Sequence, residues 1–354
     1  MRKTFGNAYA VFCTISLAVG FFLVFFFACK IVVEQGLRAV LGMAIGLIIA
    51  PIVHELGHVF FAVLAKMDCV YVKCFCFKIY IKDGKKCFGF ASPLAADQTQ
   101  ILPKMGGNMR KRAIKYVLGG QIFSGAFLLL ILAVVITATI EHMPVFIFWG
   151  LLPYTGYLFL LNLLPFEYAS GKTDILVYQG LKKDEPAEKT MLAAMEIQGG
   201  LYEGYSFTEI DESYYFDLPQ LPEDEPLFAI IMDLRYRYYL EKNDYDKASD
   251  SLNRLAQAEP YLSDGEVQKL IGELTYMHAL GGNIELAEKS AKLCEEYLKQ
   301  DKVEVKRILA AYAKEIDNTE GVEVLLKQAR ECMSKEYVKG MRKAEEILCA
   351  RLEV

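Results

Sequence analysis

Four stretches of this 354-residue chain are long and apolar enough to cross a bilayer, and this constrains its fold more than any other feature. A helical crossing needs about 20 apolar residues, because hydrocarbon offers unpaired backbone groups no hydrogen-bond partner. The stretches run over about residues 8–33, 37–65, 113–140 and 144–166. The first contains Phe21-Phe22-Leu23-Val24-Phe25-Phe26-Phe27 and follows Arg2 and Lys3. It is too long for a signal-peptide core and lacks a small-residue cleavage site, so it reads as a span.

Charge divides the chain where the apolar stretches end. Residues 1–180 hold 16 Lys and Arg against 8 Asp and Glu, whereas residues 181–354 hold 23 against 36. The net charge of −5 and the mean hydropathy of +0.23 therefore average two unlike halves. A simple cytosolic enzyme, a disordered chain and a fibrous one are all excluded by this pattern. Ten basic residues crowd the connection 66–112, among them Lys85-Lys86 and Arg110-Lys111-Arg112. The opposite connections carry only Lys30, Glu34 and Arg38, and Glu141 and His142. Basic loops stay in the cytosol, so both termini and the second half are expected there, in a multi-pass protein of the cell membrane. Nine cysteines fit that reducing compartment; Cys69, Cys74, Cys76 and Cys87 cluster without a zinc-knuckle spacing.

The chemical signal lies inside the second stretch, at His54-Glu55-Leu56-Gly57-His58. The chain has only 4 histidines, and two of them fall here. Residues four apart share a helix face, so both imidazoles can grip one ion. Glu55, beside the first ligand, can take a proton from a water at that ion. Zinc suits two nitrogens, an oxygen and an open position, and one Zn2+ per chain is expected. Ionisable groups at this depth are expensive and mark function. His58 stands eight residues before Lys66, which places the site ~10–15 Å below the cytosolic surface. Pro51 should kink this helix. The alternative is a buried His–Glu–His network that only packs helices.

A third ligand is expected after the fourth stretch, which continues Asn162-Leu163-Leu164-Pro165-Phe166-Glu167-Tyr168-Ala169-Ser170-Gly171-Lys172-Thr173-Asp174. With these residues the chain resembles the site-2 protease family of intramembrane zinc metalloproteases. That family pairs a His-Glu-x-x-His helix with a later Asn-x-x-Pro-x-x-x-x-Asp-Gly, whose Asp completes the zinc shell. Asn162 and Pro165 match its opening, Ser170 occupies the strict Asp position, and Asp174 follows four residues later before Ile175. A longer loop that delivers Asp174 is favoured, since carboxylate binds zinc better than hydroxyl; Glu167 is the rival ligand, and the remaining alternative is a site with no third protein ligand. The resemblance implies that Asn162 sits near bound peptide. It also matches Gly119-Gly120-Gln121-Ile122-Phe123-Ser124-Gly125 to a small-residue turn between the ligand helices, with Gln121 where the family has Pro. Close helix packing explains those glycines equally well. The likeness covers about residues 37–180.

Between the second and third stretches, residues 70–91 read as a cytosolic β-hairpin turning at Asp83-Gly84. Its edge suits either pairing with an unwound substrate or capping the helices. Residues 190–234 contain ten Asp and Glu and no Lys or Arg, so 181–226 is expected as an acidic linker or poorly regular element, in which Met191–Ile197 can be helical. From residue 227 to 354 the pattern is helical throughout. Asn243-Asp244-Tyr245-Asp246-Lys247-Ala248 recurs as Gly282-Asn283-Ile284-Glu285-Leu286-Ala287 and loosely as Asp317-Asn318-Thr319-Glu320-Gly321-Val322. This resembles tetratricopeptide helix pairs, which bind peptides, so a cytosolic protein or peptide partner is expected.

The sequence thus reads as an all-α polytopic membrane protein with a small β-hairpin, followed by an α-helical repeat-like soluble domain. The expected activity is cleavage of a membrane-spanning or membrane-bound peptide near the cytosolic face. His54, His58 and Asp174 would hold zinc and Glu55 would act as the base. The lipid bilayer is the expected environment, and no nucleic-acid partner is expected. A non-catalytic scaffold of the same descent, which the shifted Asp favours, and a metal-ion carrier are the competing classes.

Overall fold

The computed structural model describes residues 2–82, 85–92, 98–140, 145–168 and 171–353. It forms two compact units, one of Met1–Leu102 with Asn108–Glu185 and the other of Pro103–Gly107 with Pro186–Val354. The expected turn at Asp83-Gly84, the far-side Glu141 and His142, and Ser170 lie outside the described residues.

The first unit is built on α1 (Arg2–Ile31), α2 (Val33–Leu64), α3 (Met109–Ile140) and α4 (Phe146–Leu163). All four contain segments long and apolar enough to cross a membrane. Helix α2 packs against the other three. Glycines permit this: a Cβ on Gly42 would overlap the Ile147 carbonyl, and one on Gly57 would overlap that of Gly119. Outward-facing Phe22 and Leu129 are 63% and 68% exposed, which suits lipid rather than water. Pro51 lies within α2, which runs unbroken to Leu64.

Residues 70–91 form more than a hairpin. The strands are β1 (Asp68–Cys74), β2 (Phe77–Lys82), β3 (Lys85–Phe90) and β4 (Gln98–Leu102), in the antiparallel order β3-β2-β1-β4. The run expected as one strand divides because Phe75, at φ 52°, turns the chain between Cys74 and Phe77. Strand β4 then pairs along the other side of β1, with Thr99 opposite Val72. After α4 the chain makes a two-stranded hairpin, β5 (Glu167–Tyr168) with β6 (Gly171–Lys172), and enters α5 (Asp174–Lys183).

The second unit corrects the expectation of an acidic linker over 181–226. Helix α6 (Pro186–Glu203) and short α7 (Ser213–Phe216) belong to its core, and Ile197 and Tyr215 are fully buried. Several acidic residues pair within this unit. Glu209 accepts from the Ser206 amide and pairs with Lys343 at 2.6 Å, while Glu212 meets Lys242 at 2.8 Å. Glu241 accepts from the backbone of Phe207 and Thr208.

The remaining helices are α8 (Pro226–Glu241), α9 (Tyr245–Gln257), α10 (Asp264–Leu280), α11 (Ile284–Leu293), α12 (Glu295–Leu298), α13 (Val303–Glu315), α14 (Thr319–Met333) and α15 (Lys339–Ala350). Three consecutive pairs pack together, α8 with α9, α10 with α11 and α13 with α14. Each pair is joined by the same turn. A residue in the left-handed region (Asn243, Gly282 or Asp317, φ 58–70°) precedes an N-cap of Asp244, Asn283 or Asn318. Each cap side chain accepts from the backbone amide three residues on. Ala248, Ala287 and Val322 then sit at equivalent buried positions.

Ionic groups fill the centre of this unit. Fully buried Arg307 donates to Glu273 and Glu345, each at 2.8 Å, and lies 4.1 Å from the centroid of the Tyr276 ring. Arg237 and Lys269 converge on Asp233 at 3.0 and 3.4 Å.

Candidate metal centre

His54 and His58 point from the same side of α2. Their Nε2 atoms are 3.3 Å apart. Asp174 Oδ2 completes a triangle, at 3.5 Å from each Nε2. Among the described residues this is the one place where three metal-ligating groups converge. Tetrahedral zinc with bonds of ~2.0–2.2 Å sets neighbouring ligand atoms ~3.3–3.5 Å apart, so the spacing matches a single ion. Asp174 Oδ2 is buried and accepts no hydrogen bond, a costly state for a carboxylate oxygen unless a cation completes it. The donor set, two nitrogens and one oxygen, fits zinc.

Each imidazole is held from behind. His58 Nδ1 donates to the Tyr116 carbonyl at 2.9 Å. A carbonyl only accepts, so the proton sits on Nδ1 and the Nε2 lone pair faces the cluster. His54 Nδ1 shares a 3.0 Å hydrogen bond with the Ser124 hydroxyl. Both partners lie on α3, whose Gly120 leaves the space in which the rings meet. A Cβ there would overlap His58 Nε2 and stand 2.7 Å from His54 Cε1.

The hairpin between α4 and α5 delivers Asp174. Thr173 donates to the Leu164 carbonyl at 2.9 Å and accepts from the Leu176 amide, closing the loop and capping α5. Asp174 is the first residue of that helix, where the dipole favours an ionised carboxylate. The rival Glu167 sits in β5 and is outside the cluster. Asn162, in the last turn of α4, contacts its own helix through Leu158 O at 3.5 Å.

Glu55 is buried, 6% exposed, and accepts a hydrogen bond at Oε2 from the Thr99 hydroxyl of β4. The Tyr116 hydroxyl donates to the Thr99 carbonyl at 2.7 Å. Tyr116 thus links His58 and Glu55, holding His58 through its carbonyl and the strand beside Glu55 through its hydroxyl. Sequence reasoning missed Tyr116 and Thr99. It singled out Ser124 and Gly120 only as parts of a small-residue segment. Gln121, in place of Pro, donates to the Phe159 carbonyl at 3.0 Å and so links α3 to α4.

No protein-family model, curated protein or solved structure matches this chain.

Proposed function

We propose that this chain is an intramembrane zinc endopeptidase that hydrolyses a peptide bond of a membrane-spanning or membrane-bound substrate near the cytosolic face. The observation that carries this reading is the unpartnered Asp174 Oδ2 aimed at two imidazoles, beside a buried glutamate in a His-Glu-x-x-His helix. The resemblance to site-2 proteases, noted from the motifs alone, agrees with it.

His54, His58 and Asp174 would hold the ion. When bound, zinc supplies Lewis acidity and lowers the pKa of water at the site. The chain's own groups do the rest. Tyr116 and Ser124 fix the imidazoles, so the ligands need little rearrangement. Thr99 holds the Glu55 carboxylate in one orientation. Glu55 takes a proton from the attacking water, and the water oxygen bonds to the scissile carbonyl carbon. Glu55 then returns the proton to the departing amine nitrogen as the C–N bond breaks. The products are a free carboxylate and an amine, and no other reactant is consumed.

The four apolar helices would span the membrane, with the basic connection, both termini and the acidic second half in the cytosol. The three like turns of the second unit support a tetratricopeptide-like reading, in which a peptide or cytosolic protein docks on the helix pairs. The test compares the membrane proteome of cells carrying wild-type protein with that of cells carrying Glu55→Gln. One or more membrane peptides should persist intact in the variant. Identical proteomes would reject the activity.

A further inference from the structure

The chain passes between the two units at three points, after Leu102, after Gly107 and after Glu185. Each crossing lies at the end of an element that bears on the metal centre. Strand β4, which carries Thr99 on Glu55, ends at Leu102. Helix α3, which holds His58 through the Tyr116 carbonyl, begins at Met109. Helix α5, whose first residue is Asp174, ends at Lys183 and leads into α6 at Pro186.

The first two crossings bound a strap, residues 103–107, that packs in the second unit although the chain on both sides of it belongs to the first. Its seat is α6. A Cβ on Gly199 would stand 3.1 Å from the Met105 amide nitrogen and 3.3 Å from the Lys104 carbonyl carbon. One on Gly200 would stand 3.2 Å from Met105 Sδ and 2.8 Å from Ile210 Cδ1. Adjacent glycines weaken a helix interior, and neither of these adopts the positive φ that would call for glycine. What their missing side chains permit is the close approach of the strap.

The strap is also fixed at its ends. Pro103 is buried and its ring sets its own φ. Gly106 and Gly107, at φ 87° and 79°, turn the chain toward α3, where Asn108 accepts from the Lys111 amide at 3.0 Å and caps the helix. Arg112 donates to the Ala65 and Lys66 carbonyls at 2.8 and 2.9 Å, tying the start of α3 to the chain just past α2. Thr99 stands only four residues before the strap, and Tyr116 nine after it. We propose that α6 is a positioning element for the metal centre. Its grip on the strap, through Gly199 and Gly200, holds β4 and α3 where Thr99 orients Glu55 and Tyr116 orients His58. The second unit therefore supports the site, and loosening the strap impairs it. This inference rests on the zinc-site reading for its consequence, but the grip itself is measurable without turnover.

The test uses the full chain in lipid nanodiscs, with hydrogen exchange on metal-free protein and the absorption of added cobalt(II). Gly199→Leu fills the seat of the strap, and Gly199→Ala fills it by one methyl group. Leucine and alanine both favour helix over glycine, so a glycine without this role would lose nothing on replacement. Amide exchange over 98–102 and 109–116 should rise roughly tenfold in Gly199→Leu and less in Gly199→Ala, while that of α8–α15 stays as in wild type. The cobalt d–d bands should shift in Gly199→Leu, because His58 loses its fixed orientation. Should Gly199→Leu unfold the second unit, Met105→Ala, which empties the seat beside Gly200, gives the same comparison. Wild-type exchange over 98–102, or unshifted cobalt bands, would overturn the proposal. Wild-type protein that binds no cobalt would reject the zinc reading instead, with exchange still deciding the grip.

Discussion

His54 Nε2 lies 3.5 Å from Asp174 Oδ2, although the whole four-stranded sheet and two long helices intervene in the chain. The approach depends on both partners being delivered separately. Helix α3 orients the histidine through Ser124, and the β5–β6 hairpin with the Thr173 cap starts α5 where its first carboxylate meets the imidazoles. Asp174 Oδ2, buried there, accepts no hydrogen bond.

Gly120 should be required for metal affinity rather than for folding. Its missing side chain is the space the two imidazoles use, so Gly120→Ala should push them apart while leaving the helices paired. Zinc affinity should fall by roughly tenfold or more, the scale seen when ligand support is lost. Competition with a chromogenic chelator measures this, with circular dichroism to check that helicity is unchanged.

Thr99 acts through Glu55. Thr99→Val removes the hydroxyl donor at constant volume, so kcat should fall about 10–100-fold with KM and zinc content little changed. Thr99→Ser restores the donor and should recover most of the rate. Steady-state kinetics on a cleaved substrate check both, and a drop in zinc content would place the effect on the ligands instead.

In the second unit, removing Arg307 should be far more damaging than removing any surface charge. Its absence leaves Glu273 and Glu345 with only the more distant Arg237 for a cation, 3.9 Å from Glu345. Arg307→Ala should destabilise the unit by about 3–5 kcal/mol. Combining it with Glu273→Gln and Glu345→Gln should recover part of the loss. Denaturant titration followed by tyrosine near-ultraviolet circular dichroism gives the comparison.

Acid should weaken the same unit through Asp233. Burial pushes this carboxyl up, but Arg237 and then Lys269 outweigh it and hold it at about 2 against an ordinary value of 3.8. Between those values the unfolded chain binds a proton that the folded one refuses. This contribution is therefore complete above about pH 4 and is lost as pH falls toward about 2. Asp233→Asn should flatten that part of the melting-temperature profile, which thermal melts across the acid range would record.

The histidine pair was legible because helical spacing alone brings residues four apart together, and the apolar spans because their length leaves no other use. Asp174 was legible only through a resemblance, since nothing local reveals that a hairpin of two-residue strands will start a helix at that position. Gln98-Thr99-Gln100 shows no alternation of apolar residues, so the strand that carries Thr99 exists in the sequence only as a polar segment. The turn at Phe75 lacks the glycine or proline that normally marks one. The acidic segment was misread for a different reason. The cation for Glu209 is Lys343, more than a hundred residues later, and a local charge count cannot see it.

Metal content per chain tests the central claim most directly. Purified full-length protein, its Glu167→Ala variant and its Asp174→Ala variant would be assayed by inductively coupled plasma mass spectrometry. The account predicts one zinc per chain in the first two and its loss in the third. Protein without stoichiometric zinc, or zinc retained by Asp174→Ala and lost from Glu167→Ala, would contradict it.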